Sequence, residues 1–240
     1  MSWNGLSVLA VVPARGGSKG IPEKNLRKVA GRSLIEHAAR TAEALGWIDR
    51  SVLSTDDEKL ADEGRRCGLD VPFRRPPELA DDLSPTVDAW RHAWLASEAH
   101  YRRRFDLSLL LQPTTPLRLP DDVERTLRAL VDGGHRAAAT VSRVPGHYAP
   151  EKIVRLDAAG CLSFCTEHGA RHAARQAIPD YYYRNGVCYA ALRETVVDDR
   201  QIAERDCVGV LIEGPIANID EPFELEWAEF LAERMERRGR

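Results

Sequence analysis

Nothing in this sequence of 240 residues is long and apolar enough to span a membrane, because no segment approaches the roughly 20 consecutive apolar residues that a span needs. The first apolar run, Leu6 to Val12, has no basic segment ahead of it and is shorter than the core of a secretion signal. Charge of one sign is also lacking. Lys and Arg total 34 against 37 acidic residues, so a net charge of −3 offers no surface for nucleic acid, and positive charge matters only where it clusters. Cysteine is sparse and odd in number: Cys67, Cys161, Cys165, Cys188 and Cys207 are too scattered for a disulfide framework. No internal repeat and no low-complexity linker divides the chain. These absences leave a soluble, cytoplasmic protein without nucleic-acid or membrane partners. It reads as a single domain over residues 1–240, long enough to bury a substantial core.

What is present is an alternation of strand and helix signals through the first 140 residues. Leu6 to Val12, Ser51 to Thr55 and Leu107 to Leu111 are short continuous apolar runs that end at turn signals, as buried parallel strands do. Between them, helices are predicted from Ser33 (Leu34, Ile35, Ala38, Ala39, Ala42 and Leu45 inward), from Asp56-Asp57, from Thr86 as N-cap, and from Asp121. Asp70 to Phe73 reads as a further strand ahead of the proline-rich RRPPELADDLSP. Ala137 to Val141, Gly186 to Leu192 and Val208 to Ile212 complete the strand set, and a helix carrying Phe223, Trp227, Phe230 and Leu231 closes the chain. The pattern predicts an α/β doubly wound, mostly parallel sheet. Between about 143 and 184 the rhythm fails, and Lys152 to Leu156 with Cys161 to Thr166 reads as a hairpin. Such a β-rich excursion rarely buries itself alone, which points to a homodimer.

The most informative stretch is VVPARGGSKGIPEKN, from Val11 to Asn25. A strand ending in a glycine-rich, cationic loop offers exposed backbone N–H groups and fixed positive charge, which a polyphosphate needs. Two familiar phosphate loops do not fit: Lys19 is followed by Gly20 rather than Ser or Thr, and the glycines fall at 16, 17 and 20 rather than in the dinucleotide spacing. In an open α/β sheet ligands bind beyond the carboxyl ends of strands. Three more polar segments fall at such ends, STDD (54–57), QPTTPLR (112–118) and NIDEP (218–222).

Taken together, ARGGSKGIPEKN (14–25), STDD, RPPEL (75–79) with Ser84 and Thr86, QPTTPLR, RQAIP (175–179), RNG (184–186) and IDEPFEL (219–225) resemble the acylneuraminate cytidylyltransferases. The resemblance covers nearly the whole chain. It implies a sheet of the nucleotide-diphospho-sugar transferase type and transfer of CMP from CTP to the anomeric hydroxyl of a sialic acid-like sugar, with pyrophosphate leaving and Mg²⁺ (or Mn²⁺) as cofactor. Arg15, Gly16, Gly17, Ser18, Lys19 and Gly20 would hold the triphosphate, and Asn25, Arg75, Ser84 and Thr86 the rest of the nucleotide. Gln112, Arg118, Arg175, Gln176, Tyr183 and Asn185 would face the sugar acid, and Asp220 with Asn218 the metal. Arg15, Lys19 and Asp220 are the residues assigned to catalysis.

Two departures from the family pattern stand out. Asn218-Ile219-Asp220 replaces a usual Asp-x-Asp, so an amide stands where a carboxylate is expected, and Tyr183 stands where many relatives carry an arginine. Two rival readings remain: a cytidylyltransferase for another acid, an octulosonate or a phosphonate, and a non-catalytic nucleotide binder. Cys161, Cys165, His168 and His172 count as four zinc-type ligands. Two cysteines four apart on a strand lie roughly 13 Å apart, however, and no finger separates the pairs.

Overall fold

The computed structural model describes residues 3–167, 178–202 and 204–238. In chain order the strands are β1 (Val8–Pro13), β2 (Lys28–Val29), β3 (Arg32–Ser33), β4 (Arg50–Ser54), β5 (Leu107–Leu110), β6 (Ala137–Arg143), β7 (Val154–Leu156), β8 (Leu162–Phe164), β9 (Tyr182–Leu192) and β10 (Cys207–Leu211). The α-helices are α1 (Leu34–Ala44), α2 (Glu58–Arg66), α3 (Thr86–Tyr101), α4 (Pro120–Asp132), α5 (Arg193–Val197) and α6 (Pro222–Arg238). Six strands form the main sheet in the order β10-β6-β9-β5-β1-β4. All neighbours run parallel except β9, which is antiparallel to both β5 and β6.

Val8 to Val12 are fully buried because β1 has a strand on each edge and a helical layer on each face. Successive side chains of a strand point to opposite faces. Val8, Ala10 and Val12 accordingly pack with Ile35 and Ala38 of α1 and with Val123 and Leu127 of α4, whereas Leu9 and Val11 pack with Trp90 and Trp94 of α3. The Trp90 indole N–H donates to Ser108 Oγ at 2.8 Å, so a large apolar side chain is buried without stranding its polar atom. On α2, a Cβ at Gly64 would lie 2.6 Å from Leu53 Cδ2, so a larger residue there would make the buried Leu53 side chain shift for the helix to sit on β4. Burying Leu53 there is worth about 1.5–3 kcal/mol.

The helix starts follow their caps. Ser33 Oγ accepts from the Glu36 amide at 3.0 Å, and Asp57 Oδ1 accepts from Leu60 N at 3.1 Å. Some expectations needed correcting. Asp70 makes a single parallel bridge to Val52 rather than opening a strand, since Pro72 and Pro76 break the ladder just beyond it. Pro85, not Thr86, occupies the N-cap position of α3, and Thr86 is its first residue. Two elements were not anticipated, α5 and the β2–β3 ribbon. The ribbon turns at Ala30 and Gly31, both at positive φ (48° and 77°), and the Ala30 amide is held by Glu229 of α6 at 3.0 Å. Helix α6 thereby closes a third cluster, Ala228 and Leu231 against Ile21, Val29 and Ile219, beneath the Gly-rich loop.

The segment between β6 and β9 leaves the sheet. Its base is tied by Val144 N to Tyr181 O at 2.8 Å, and β7 pairs antiparallel with β8 as the expected hairpin. Leu156 (70% exposed), Leu162 (69%) and Phe164 (49%) stand uncovered on it. Among the described residues, no helix is long and apolar enough to cross a membrane.

Candidate active site

The carboxyl ends of β1, β4 and β5, three adjacent parallel strands, open into a cleft of about 470 Å³. Of the residues singled out in the sequence, Arg15, Ser18, Lys19, Gly20, Asn25, Arg75, Ser84, Thr86, Gln112, Asn218 and Asp220 line it. Gly16 and Gly17 lie in the same loop but border an adjoining hollow.

The Gly-rich loop is shaped by its neighbours. Gly16 N donates to Asp56 Oδ1 at 2.9 Å, so this amide is committed to the STDD turn rather than free for phosphate, and a Cβ at Gly16 would meet Asp57 at 3.2 Å. Gly17 adopts φ 58°, a left-handed conformation that favours glycine. Buried Asn25 spends its amide N–H on the Arg15 carbonyl at 3.1 Å, bracing the loop from beneath. At the mouth, Asp82 takes both cations of the Gly-rich loop: Oδ1 lies 2.5 Å from Arg15 Nη2, and Oδ2 contacts Lys19 Nζ. Hydrogen bonds from Lys19 and Arg15, aided by their charges, hold the Asp82 carboxyl below its usual range. The Lys19 side chain is 83% exposed, and among the described residues its one ion pair is with Asp82.

Arg75 is the opposite case. It is 4% exposed, with Nε on Ser54 Oγ at 3.0 Å and Nη2 on the Ser54 carbonyl at 2.5 Å, and it makes no ion pair among the described residues. Burial depresses its pKa to about 10. A cation desolvated without a carboxylate, on the wall of a cleft, is arranged to meet an anion or a ring acceptor from a ligand. Ser84 is drawn into a turn: its Oγ meets Asp81 at 2.8 Å and the Glu78 carbonyl at 2.6 Å.

The NIDEP segment lies between two loops. Ile219 N donates to the Thr114 carbonyl at 2.8 Å on one side. On the other, Lys24 Nζ binds the Ile219 carbonyl at 3.0 Å and Asp220 Oδ1 at 2.8 Å. Gly20 packs so closely that a Cβ would lie 2.8 Å from the Asp220 carbonyl oxygen. Lys24 was absent from the sequence-based set of site residues, although it lies in the same cationic motif and directly precedes Asn25. Glu224 closes α6 by accepting from the amides of Asp220 and Glu221 at 2.6 and 2.8 Å, which leaves the Asp220 carboxylate to Lys24. Asn218 and Asp220 supply one amide oxygen and one carboxylate facing the cleft, a hard-oxygen set that fits a divalent cation whose other ligands are phosphate oxygens and water.

The residues assigned to the sugar side divide. Gln112 lines the cleft. Arg118 does not: it is 6% exposed and turned under its own loop, where Nη2 binds Thr115 Oγ1 at 2.7 Å and the Thr115 carbonyl at 3.0 Å and also contacts the Gln112 carbonyl. No acid pairs with it among the described residues, and burial lowers its pKa to about 10. Asn185 is fully buried and also does not line the cleft. Its Oδ1 accepts from Thr140 Oγ1 at 2.6 Å and Val187 N at 3.1 Å, while its Nδ2 donates to Ser142 Oγ at 3.0 Å. These bonds hold a register shift of β9 against β6. Tyr183, 45% exposed, borders a separate hollow with Arg143 and Trp227. Arg175 and Gln176, like His168 and His172 of the zinc-type spacing, lie outside the described residues, and Cys161 and Cys165 are exposed.

Residues 9–144 match the model of a family described as cytidylyltransferase. The CMP-N,N′-diacetyllegionaminic acid synthase of Legionella pneumophila is 28% identical over 236 residues, covering 93% of this chain and 94% of its own. The N-acylneuraminate cytidylyltransferase of Streptococcus agalactiae is 28% identical over 199 residues, 80% of this chain and 45% of its own. Among solved structures, a CMP:2-keto-3-deoxy-manno-octonic acid synthetase complexed with CTP superposes with a TM-score of 0.69 at 19% identity, covering 95% of this chain and 99% of that one. That likeness speaks to the fold, a nucleotidyltransferase-like α/β sheet.

Proposed function

Because the chain belongs to the cytidylyltransferase family, and is therefore a nucleotidyltransferase, we propose that it transfers CMP from CTP to the anomeric hydroxyl of a nonulosonic acid, releasing pyrophosphate. The observation that carries this reading is one cleft walled by the cationic loop after β1, the buried Arg75 and the Gln112 loop after β5. Relatives named for legionaminic and acylneuraminic acids support this acceptor class.

In the transfer, the anomeric oxygen attacks the α-phosphorus in line, the bond to the pyrophosphate oxygen breaks, and the hydroxyl proton leaves. Most of the barrier is crowded negative charge, so positioning and electrostatics do the catalysis. Arg15 and Lys19 exchange Asp82 for the triphosphate and neutralise the departing pyrophosphate. Arg75 meets the nucleotide as a cation whose desolvation cost is already met by folding. Asn25 acts by bracing the loop. Gln112 faces the sugar acid, and the resemblance assigns Arg175 to the same acceptor. Asn218 and Asp220 would hold Mg²⁺, which when bound shields phosphate charge; Lys24 holds Asp220 in place for it. The hydroxyl proton would pass to Asp220, which, like Asp81 and Asp82, is already engaged in the free protein, in its case by Lys24. The uncovered apolar face of the β7–β8 hairpin supports a homodimer, and a CTP-consuming enzyme of this kind belongs in the cytoplasm.

The test is a panel of sugar acids (acylneuraminic, legionaminic, pseudaminic, octulosonic) with Mg·CTP, scored by pyrophosphate release and by the mass of the CMP-sugar. Turnover confined to nonulosonic acids supports the proposal. Turnover confined to an octulosonate moves the acceptor class, and CTP binding with no product from any acid leaves a nucleotide binder. Asn218, with its missing carboxylate, is the feature that favours the last outcome.

A further inference from the structure

Arg118, Thr115 and Gly186 lie behind the acceptor wall of the cleft rather than on it, and together they form a continuous brace. Thr115 is 1% exposed, and its single hydroxyl proton has two acceptors in reach, the Gly186 carbonyl at 2.8 Å and the Gln112 carbonyl at 3.1 Å. The shorter contact takes the proton, so the hydroxyl ties the QPTTPLR loop to β9. The same oxygen accepts from Arg118 Nη2 at 2.7 Å, and Nη2 also reaches the carbonyls of Thr115 and Gln112. One guanidinium nitrogen thus fixes the backbone at both ends of the Gln112–Thr115 turn. The remaining Arg118 nitrogens, Nε and Nη1, are buried without hydrogen-bond partners among the described residues.

Gly186 completes the brace from the opposite strand. It sits in the register shift of β9 at φ 76°, and a Cβ built on it would lie 2.8 Å from Gln112 Oε1 and 3.8 Å from Asn218 Oδ1. The absence of a side chain is what lets the Gln112 carboxamide lie against the β9 backbone. A bulge that re-aims a neighbouring side chain is a usual role of such irregularities beside active sites.

We propose that Arg118, Thr115 and Gly186 are positioning residues that set recognition of the acceptor by fixing the direction of the Gln112 carboxamide. The inference rests on the reading of this cleft as a cytidylyltransferase site with Gln112 on its sugar side. It also accounts for a cation kept buried without a carboxylate: Arg118 places uncompensated positive charge one loop layer behind the position of an anionic acceptor.

Three variants test it: Thr115→Val, which removes the hydroxyl at constant shape, Arg118→Lys, which keeps the charge and loses the fork, and Gly186→Ala, which intrudes on Gln112 Oε1. In each, we expect the acceptor KM to rise about tenfold or more while the CTP Kd, measured by calorimetry, stays within about twofold. The Gln112 side-chain NH₂ resonances of ¹⁵N-labelled protein, assigned through Gln112→Glu, should shift in all three. Unmoved resonances with an unchanged acceptor KM overturn the proposal, and so does a proportional loss of both substrates, which marks a merely structural role. If wild-type protein turns over no sugar acid, the functional reading fails, and the Gln112 resonances alone decide the positioning claim.

Discussion

Replacing Arg75 by Met should leave the free protein about as stable as before and cost most of its affinity for CTP. Arg75 is 4% exposed and makes no ion pair among the described residues, and burial, only partly offset by the Asp56 charge, lowers its pKa to about 10. For a base whose folded pKa is depressed, the cost of carrying the charge is fully present below that pKa and is relieved only as pH rises beyond it. Throughout the neutral range the folded protein therefore bears the whole penalty, roughly 3 kcal/mol from the size of the displacement. Methionine removes the penalty and keeps the volume. It also removes the two bonds to Ser54, which strands the hydroxyl at about 1–3 kcal/mol, while the carbonyl keeps the Ala14 amide at 3.0 Å. The terms nearly cancel, so urea unfolding at pH 7.5 should place the variant within about 1 kcal/mol of wild type. Binding has no such compensation: a lost charged hydrogen bond of about 1.5–3 kcal/mol weakens CTP roughly 10- to 100-fold by calorimetry. A variant strongly destabilised yet with unchanged CTP affinity would show that Arg75 is a strut for the STDD turn, and the reasoning about its buried charge would fail.

Further outcomes are expected from the same cleft. Asp82→Asn should tighten CTP about two- to fivefold, because the exposed carboxylate competes with the triphosphate for Arg15 and Lys19; weaker binding would make Asp82 part of the nucleotide site instead. Lys19→Ala should lower kcat by about 10²-fold or more with a smaller effect on CTP affinity, and an unchanged kcat removes it from charge neutralisation. Asn218→Asp should lower the Mg²⁺ concentration needed for half-maximal CTP binding in calorimetric titrations, whereas an identical titration places the ion elsewhere. Away from the site, Arg66 and then the Ser33 hydroxyl hold the Glu63 carboxyl down at about 2. A depressed carboxylate stabilises the fold above its ordinary range, and that contribution is lost as pH falls through about 2. The deficit of Glu63→Gln in unfolding free energy, about 1 kcal/mol at pH 7 after solvent screening, should therefore shrink between pH 4.5 and 2; a constant deficit would assign it to packing.

How far the site was legible in the sequence depended on what each residue does. Arg15, Lys19, Arg75, Gln112, Asn218 and Asp220 line one cleft because each follows the carboxyl end of a strand or the turn beside it, a position that motif and strand order already imply. Arg118 and Asn185 carry the same polar chemistry in one dimension, yet they turn inward and satisfy the backbone of a loop and a bulge. No spacing distinguishes a polar side chain that meets substrate from one that holds the residue that does. Lys24 escaped for the converse reason, since its partner Asp220 is 196 positions away.

The sequence by itself determined the layered α/β sheet, since continuous apolar runs separated by helical faces can be buried in few other ways, and it determined the cationic Gly-rich loop after β1, since its glycines and cations are contiguous. Only the tertiary structure decided that β9 runs antiparallel between β5 and β6, that Asp82 stands on Arg15 and Lys19 in the free protein, and that Arg118 and Gly186 meet across Thr115 behind Gln112. Those features depend on contacts between residues that are far apart in the chain, and contact geometry of that kind is written in packing rather than in local pattern.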